Sequence, residues 1–308
     1  MICNYCNTRP PCLIRQFTGR HCCKECFLDN FVSEIHETIV QYDMINNNDR
    51  VCVGVSGGKD SSVLIDILYN IKVTYGYSWQ LFLLAIDEGI KGYRDDSLAV
   101  VQHIKDKYNL PLEVLSFKHS FGRDMDEIVI KTGSKNNCTV CGVYRRNLLN
   151  QGGKFIQANK ICTGHNADDV AETLLLNLFR GDSLKLVQQS SLLNNVDGIT
   201  RIKPLFKCAQ KEIVLYARYA NIEYFSTECK YLKDAYRGKM RDFINRLQIT
   251  NPRLVINLVN SSLQYGSSKS IESVEIDANR SKCENCGSLA DGRLCKMCQI
   301  TEKLNNTL

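Results

Sequence analysis

"VGVSGGKDSSVL" spans Val53 to Leu64. An apolar run ending at Val55 meets a serine-glycine-glycine turn, a lysine and the start of an amphipathic stretch. Neither common phosphate-loop pattern fits. The Walker pattern G-x-x-x-x-G-K-[ST] wants glycine five residues after Gly54, where Lys59 stands, and the dinucleotide fingerprint G-x-G-x-x-G is absent. The parts still make an anion cradle. Gly57 and Gly58 let backbone N–H groups face a ligand without a Cβ in the way. The helix that follows adds the positive end of its dipole. Ser56, Ser61 and Ser62 offer hydroxyls, and Lys59 offers a point charge. Asp60 is repulsive beside phosphate unless it holds Mg2+ or orients the lysine. Such a nest suits a pyrophosphate that leaves better than a γ-phosphate that is transferred. The plainer reading is a glycine turn with a capping serine.

Around this loop, strands and helices alternate. Val51–Val55, Leu81–Ile86, Leu112–Phe117 and "KICTG" (from Lys160) read as strands. Ser61–Asn70, Asp95–Tyr108, Val143–Asn150 and Ala167–Phe179 read as helices. That alternation predicts an α/β fold, a doubly wound parallel sheet. Glu34–Tyr42 reads as a connecting helix, and "NNND" (Asn46–Asp49) as the turn before the first strand. The expected organisation is an N-terminal metal module over residues 1–30, a connecting helix and turn over 31–50, the nucleotide domain over 51–260, a linker over 261–281 poor in large apolar residues, and a second metal module over 282–308.

The metal modules follow from the cysteines. The 308 residues include 16 cysteines, and no segment at Met1 resembles a secretory leader, so thiols in a reducing compartment point to metal rather than disulfides. Cys283, Cys286, Cys295 and Cys298 form two C-x-x-C pairs with eight residues between them. Cys3, Cys6, Cys23 and Cys26 form another set with sixteen between, in which His21 or Cys22 could replace Cys23. Four thiolates at tetrahedral reach suit structural Zn2+, one ion per module. Free surface thiols are the plainer reading. Arg9, Arg15, Arg20 and Lys24 would be presented by the first module to RNA. The net charge of +6 permits a nucleic-acid partner without requiring one, and no apolar run reaches the length of a membrane helix.

Two further segments carry chemistry. "CTGHNADDVAET" follows a strand and opens a helix, which puts Gly164, His165, Asp168 and Asp169 at the carboxyl edge of the sheet, where α/β enzymes bind ligands. Asp168 could hold Mg2+, orient a nucleophile, or cap the helix. "NCTVCGVYRR" gives Cys138 and Cys141, with Arg145 and Arg146 placed to contact phosphate of ATP or RNA. "STECKYLKDAYRG" gives Cys229. Cys52 and Cys162 fall within strands as core thiols. Arg237, Lys239 and Arg241 make a basic stretch, either a solvated helix face or a contact to RNA backbone.

"SGGKDS" resembles the pyrophosphate loop of the PP-loop ATP-pyrophosphatase superfamily, whose members adenylate a carbonyl oxygen. "LAIDEGI" is similar to that superfamily's second strand end, where the backbone around Ala85, Ile86 and Asp87 would meet adenine. The order of the N-terminal cysteine module, "SGGKDS", "CTVCGVYRR", "TGHNADDVAET", "KPL…KEIVLYA", "STEC…AYRG" and the terminal cysteine ribbon resembles the cytoplasmic tRNA 2-thiolation protein 1 family over nearly the whole chain. The resemblance implies a cytoplasmic tRNA sulfurtransferase. It would adenylate the C2 oxygen of the wobble uridine in tRNAs for Lys, Glu and Gln, then insert sulfur from a thiocarboxylated ubiquitin-related modifier, beside a paralogous second subunit. It also implies that Cys138, Cys141 and Cys229 are catalytic and hold a [4Fe-4S] cluster with one iron open, and that Lys59 and Asp168 act in catalysis. A third zinc site at Cys138 and Cys141, or a persulfide on one cysteine, remains the alternative use of these thiols. Two other functions fit part of the chain: a lysidine-synthetase type of PP-loop ligase, which needs none of the three cysteines, and a non-catalytic zinc-ribbon subunit that binds tRNA.

Overall fold

The computed structural model describes residues 1–133, 137–227, 229–231, 236–268 and 281–306. The chain opens with a small antiparallel pair, β1 (Leu13–Ile14) and β2 (His21–Cys22), followed by helix α1 (Lys24–Gln41). This helix starts ten residues before the expected Glu34, because Phe27, Phe31, Ile35 and Ile39 form one buried stripe at four-residue spacing. The rings of Phe27 and Phe31 meet Tyr219 and Tyr216, so the first module is joined to the nucleotide domain by a shared core.

The α/β unit then runs β3 (Arg50–Gly54), α2 (Lys59–Tyr75), β4 (Gln80–Asp87), α3 (Arg94–Tyr108), β5 (Leu112–Ser116), α4 (Phe117–Phe121), α5 (Met125–Thr132), α6 (Asn137–Phe155), β6 (Lys160–Cys162), α7 (Ala167–Phe179), α8 (Ser183–Ser190), β7 (Asn194–Val196), β8 (Ile199–Ile202), α9 (Gln210–Tyr219), α10 (Tyr236–Thr250) and α11 (Leu254–Ser268). The six-stranded sheet has the order β5-β4-β3-β6-β8-β7. All neighbours are parallel except β7 with β8. Val51, Cys52 and Val53 are all buried, as expected of a central strand covered on both faces, and Cys162 is fully buried as well. The chain leaves β3 towards β4 and β5, then returns to β6 on the other side of β3. The switch point therefore lies between the carboxyl ends of β3 and β6, where such folds bind ligands.

Two features depart from the sequence reading. The β7–β8 hairpin was not expected, since its strands are short and polar. Its turn, Asp197-Gly198, has positive φ at both positions (54° and 83°), the two-residue turn geometry that D-G sequences favour. The linker expected from Ser261 does not begin there. Val255, Val259 and Ser262 continue a buried helical stripe, and Ser262 Oγ reaches Ser190 Oγ at 3.5 Å, so α11 runs through Ser268. A buried serine looks like linker in composition yet packs as a small core residue. Residues 269–280 of that stretch lie outside the described residues.

The last module holds β9 (Ser281–Lys282), β10 (Leu289–Ala290) and α12 (Lys296–Asn306). It packs directly on α6. Tyr144 OH lies 2.9 Å from Thr301 Oγ1, and Arg123 donates to the Leu304 carbonyl at 2.7 Å. Among the described residues no helix is long and apolar enough to cross a membrane.

Candidate active site

The Ser-Gly-Gly turn joins β3 to α2. Gly57 has φ +76°, and a Cβ there would stand 2.4 Å from the Ser97 carbonyl oxygen, so glycine is required twice over. The turn is braced from within. Ser56 N–H donates to Ser61 Oγ (3.2 Å), Gly58 N–H to Ser56 Oγ (3.3 Å), and Ser61 Oγ to the Gly58 carbonyl (3.0 Å). Gly58 caps α2 without any side-chain hydrogen bond at the cap, which leaves the helix start available to an anion. Lys59 Nζ sits 2.9 Å from Asp60 Oδ2, so the aspartate orients the lysine in this conformation.

The second loop closes on the first. A Cβ on Gly164 would meet the Asp60 backbone at 2.9 Å, and Asn166 Nδ2 donates to Asp60 Oδ1 at 3.0 Å. Asn166 and Asp169 form the capping box of α7. Between the loops lies a crevice of about 530 Å³, whose walls include Ser56, Asp60, Ser61, Ile86, Tyr93, Arg145, Arg146, Gly164, His165, Asp169, Arg237 and Arg241. His165 opens onto it and bonds Thr163 Oγ1 through Nδ1 at 2.9 Å. His165 is exposed at the crevice mouth, and desolvation first, then the cations Lys203, Arg237 and Arg145, lower the imidazole below its ordinary pKa. It is therefore neutral at physiological pH.

Not every expected residue faces this crevice. Asp168 turns the other way: its carboxylate accepts the Gln210 amide at 2.8 Å and Gln248 Nε2 at 3.3 Å, and it lines a separate cavity behind α7. Asp168 thus satisfies the start of α9 and neither caps its own helix nor meets the nucleotide loop. Ser62 is 1 % exposed and sits beneath the loop. Ala85 is fully buried, while Asp87 holds the Gly89 amide at 2.9 Å; Ile86 is the member of that trio on the crevice wall. Arg15 is also elsewhere, buried between Glu34 (2.6 Å) and Glu212 (2.9 Å), so it ties the N-terminal module to α9 rather than facing RNA. Arg237 and Arg241 do not lie on a solvated face. They grip Glu172 and, for Arg237, Asp169, at the crevice edge.

The three middle cysteines come together beside the same crevice. Cys138 and Cys141 lie on the first turns of α6. Cys138 Sγ is 3.9 Å from the Tyr231 carbonyl, two residues past Cys229. Burial first, then the neighbouring thiols, push Cys138 upward; for Cys141 burial dominates, and the thiol rises to about 12. Cys229 is near enough to perturb Tyr93 and Arg145 on the crevice wall. Two anchors bring it there. Phe225 N–H donates to the Gly57 carbonyl at 2.8 Å, and Asp126 takes Tyr231 OH at 2.6 Å and Lys230 Nζ at 3.0 Å. Behind these groups, buried Glu88 meets Arg145 Nε at 3.0 Å and Arg94 Nε at 3.7 Å, and Arg94 Nη1 donates to Ser97 Oγ at 2.9 Å under the Gly57 turn. A polar chain therefore runs from the turn to the arginine beside Cys141. Sequence reading missed Glu88, Arg94, Asp126 and Phe225; only "DEG" near a strand end marked Glu88 at all.

The terminal thiols are more tightly gathered. Cys3, Cys6, Cys23 and Cys26 lie within 4.8 Å of one another, as do Cys283, Cys286, Cys295 and Cys298. Cys23, not His21 or Cys22, completes the first set. Tetrahedral zinc with Zn–S near 2.3 Å needs sulfurs about 3.8 Å apart, so both quartets fit that ion. Cys138, Cys141 and Cys229 do not meet this spacing.

The crevice at the switch point, with its Ser-Gly-Gly-Lys turn, defines a PP-loop nucleotide-binding protein, and the family profile described as "PP-loop domain" matches residues 28–248. Across its whole length the chain is 43% identical to cytoplasmic tRNA 2-thiolation protein 1 of Dictyostelium discoideum (84% of that protein) and 44% identical to that of Arabidopsis thaliana (86%). It is 43% identical to that of Danio rerio over 99% of its length and 89% of the relative. The chain belongs to the cytoplasmic tRNA 2-thiolation protein 1 family. Among solved structures it is similar to the U34-tRNA thiolase NcsA from Methanococcus maripaludis with its [4Fe-4S] cluster, at TM-score 0.84 and 30% identity, covering 99% of this chain and 96% of that one.

Proposed function

We propose that this chain is a cytoplasmic tRNA sulfurtransferase that 2-thiolates the wobble uridine at the expense of ATP. The observation that carries the reading is the approach of Cys138, Cys141 and Cys229 to one another beside Gly142, Tyr93 and Arg145, which line the crevice that Ser56 and Ser61 of the pyrophosphate loop also line. An amide ligase of the lysidine type has no use for three thiols there.

The turn's amides and the start of α2 take the β and γ phosphates, with Lys59 on the charge that develops at the α-phosphate. Asp60 is the loop's carboxylate suited to Mg2+. The strand end at Ile86 receives adenine. The uridine C2 oxygen attacks the α-phosphate and pyrophosphate leaves; sulfur then adds at C2 and AMP departs. Neutral His165 can accept or donate a hydrogen bond to the base without adding charge. Cys138, Cys141 and Cys229 would hold a [4Fe-4S] cluster, which supplies an open iron for a sulfide. The donor set fits: three thiols near enough to raise one another, with burial opposing free thiolates unless a cation neutralises them. The terminal quartets would each hold a structural Zn2+. The family resemblance supports tRNAs for Lys, Glu and Gln as substrates, a thiocarboxylated ubiquitin-related modifier as sulfur donor and a paralogous second subunit as partner.

Anaerobic purification followed by metal analysis tests this. About four irons and two zincs per chain are expected. Cys229→Ser should lose the iron and the thiolation activity while keeping zinc and ATP binding. Wild-type thiolation by Cys229→Ser would overturn the assignment.

A further inference from the structure

We propose that a second cleft, beside the crevice and walled on one side by the C-terminal module, binds backbone phosphate of the tRNA through Arg201 and Arg146. The inference rests on the tRNA-thiolation reading above and extends it to where the RNA lies.

The cleft measures about 490 Å³ and is bounded by α6, α8, the β7–β8 hairpin and the C-terminal module, which contributes Ser288, Leu289 and Met297. Arg201 projects from β8, whose neighbour β6 runs on into Thr163–His165 of the crevice, and Arg146 lines both spaces. Its guanidinium is held in place. Nε and Nη2 donate to Asn150 Oδ1 at 3.2 and 2.7 Å, and Nη2 also reaches the Arg146 carbonyl at 2.9 Å. Nη1 has no partner among the described residues. Arg146 has no carboxylate partner among them either, and it lines both the cleft and the crevice. The acid in the described lining, Asp197, is paired with Lys154 at 3.2 Å. Two arginines thus share one cavity with no anion between them.

The two guanidinium charges face the same space. Burial first, then the charge of Arg146, brings Arg201 down to about 10, and burial first, then Arg145, lowers Arg146. A phosphodiester in the cleft relieves that repulsion. Guanidinium forks match phosphate oxygens in pairs, and the side chains of Asn147, Gln188 and Ser191 on the same walls suit sugar and phosphate contacts. The phosphates of ATP are not the occupant, because the Ser-Gly-Gly turn lies on the crevice side of Arg146. Since Arg146 faces both spaces, a strand whose wobble base enters the crevice can lay its backbone into the cleft. The C-terminal module would then act as the far wall of an RNA path.

The test uses the full zinc-loaded chain and an unmodified tRNA transcript, with binding followed across a KCl series. Arg201→Gln and Arg146→Gln should each weaken binding about 5–10-fold and lower the slope of log K against log salt by about 1. Arg201→Lys should recover the slope but not the full affinity, because the fork is lost. Arg146→Gln leaves the carbonyl that holds Arg201 intact, so it reads the side chain without unfolding the wall. Arg253→Gln on the exposed turn before α11 should match wild type, and Arg201→Gln should bind ATP as wild type does. Unchanged tRNA affinity and slope in both glutamine variants would overturn the proposal while leaving the thiolation reading standing. So would lost thiolation with unchanged tRNA affinity, which would place an acidic protein partner in the cleft. If wild type itself binds no tRNA, the thiolation reading fails and this one fails with it.

Discussion

The terminal quartets and the central trio use the same side chain in opposite ways. Each quartet closes on itself: four sulfurs within 4.8 Å, supplied by paired C-x-x-C turns eight or sixteen residues apart. The trio closes only through the fold. Cys138 and Cys141 are local on α6, but Cys229 arrives through Phe225 on the Gly57 carbonyl and through Asp126 on Tyr231 and Lys230. A closed four-thiolate set has no position left for a reactant, whereas an incomplete set beside a crevice does. The position of the third cysteine, not the number of cysteines, separates the two arrangements.

The comparison can be broken most forcefully at a quartet. Cys295→Ser leaves three thiols in the last module. Structural zinc contributes on the order of 10 kcal/mol to small modules that fold around it. That module shares a core with Tyr144 and Leu148 of α6, so its loss should also disturb the trio. Expected outcomes are one zinc fewer by elemental analysis and a clear drop in thermal midpoint. If midpoint and activity both stay at wild-type values, the terminal set is not structural.

A smaller effect is expected at Glu88. It is 4 % exposed and stands between Arg145 and Arg94. Removing Glu88 leaves buried Arg94 with Asp87 at 3.7 Å and releases the half-exposed Arg145, a loss of about 1–3 kcal/mol. Glu88→Ala should therefore lower the midpoint and free Arg145 from the wall beside Cys141. Denaturant unfolding and ATP titration read the two effects separately. Unchanged unfolding would mean that Arg94 and Arg145 find other partners.

Asp126→Ala should separate trio from quartet most cleanly. It removes partly exposed hydrogen bonds from Tyr231, Lys230 and the Lys91 amide, worth about 1 kcal/mol each, so global stability should fall modestly and zinc content should barely move. The segment carrying Cys229 would be loosened, and thiolation should fall roughly tenfold, the change that about 1.4 kcal/mol produces. Equal activity in Asp126→Ala and wild type would show that other contacts position Cys229.

How much of this was readable from the sequence follows the same division. The loop, the alternating elements and both quartets were legible because each is encoded within one local stretch. Gly57, Gly58 and Lys59 are consecutive in the chain, and Cys283 to Cys298 span a single module. Asp168 was misplaced because adjacent residues at a helix start diverge by about 100° around the axis. Pattern alone could not tell that Asp169 faces the crevice while Asp168 faces Gln210. Glu88 and Asp126 were invisible for a different reason. Each is an ordinary acid on a strand end or helix, and its role depends on Arg145 or Tyr231 arriving from elsewhere in the chain. Arg15 looked like a surface cation for the same reason, since its partner Glu212 lies far along the chain.

The smallest effect concerns pH and compares the crevice with the metal modules. His165 has a folded pKa well below its ordinary value near 6.5, through the crevice's desolvation and the nearby cations. Below about pH 6.5 the unfolded chain binds a proton at this residue that the folded chain does not, so stability rises with pH there and levels off above it. Acid also releases metal from thiolates, and that alone would give wild type a similar trend. The difference between wild type and His165→Asn isolates the imidazole, because the quartets are common to both. Denaturant midpoints taken from pH 5 to pH 8 should show the two proteins running parallel above about 6.5 and converging or crossing below it, with the shallower fall in His165→Asn. Parallel curves over the whole range would mean that the imidazole keeps its ordinary affinity for protons. Solvent at the exposed crevice mouth would then outweigh the nearby cations at His165.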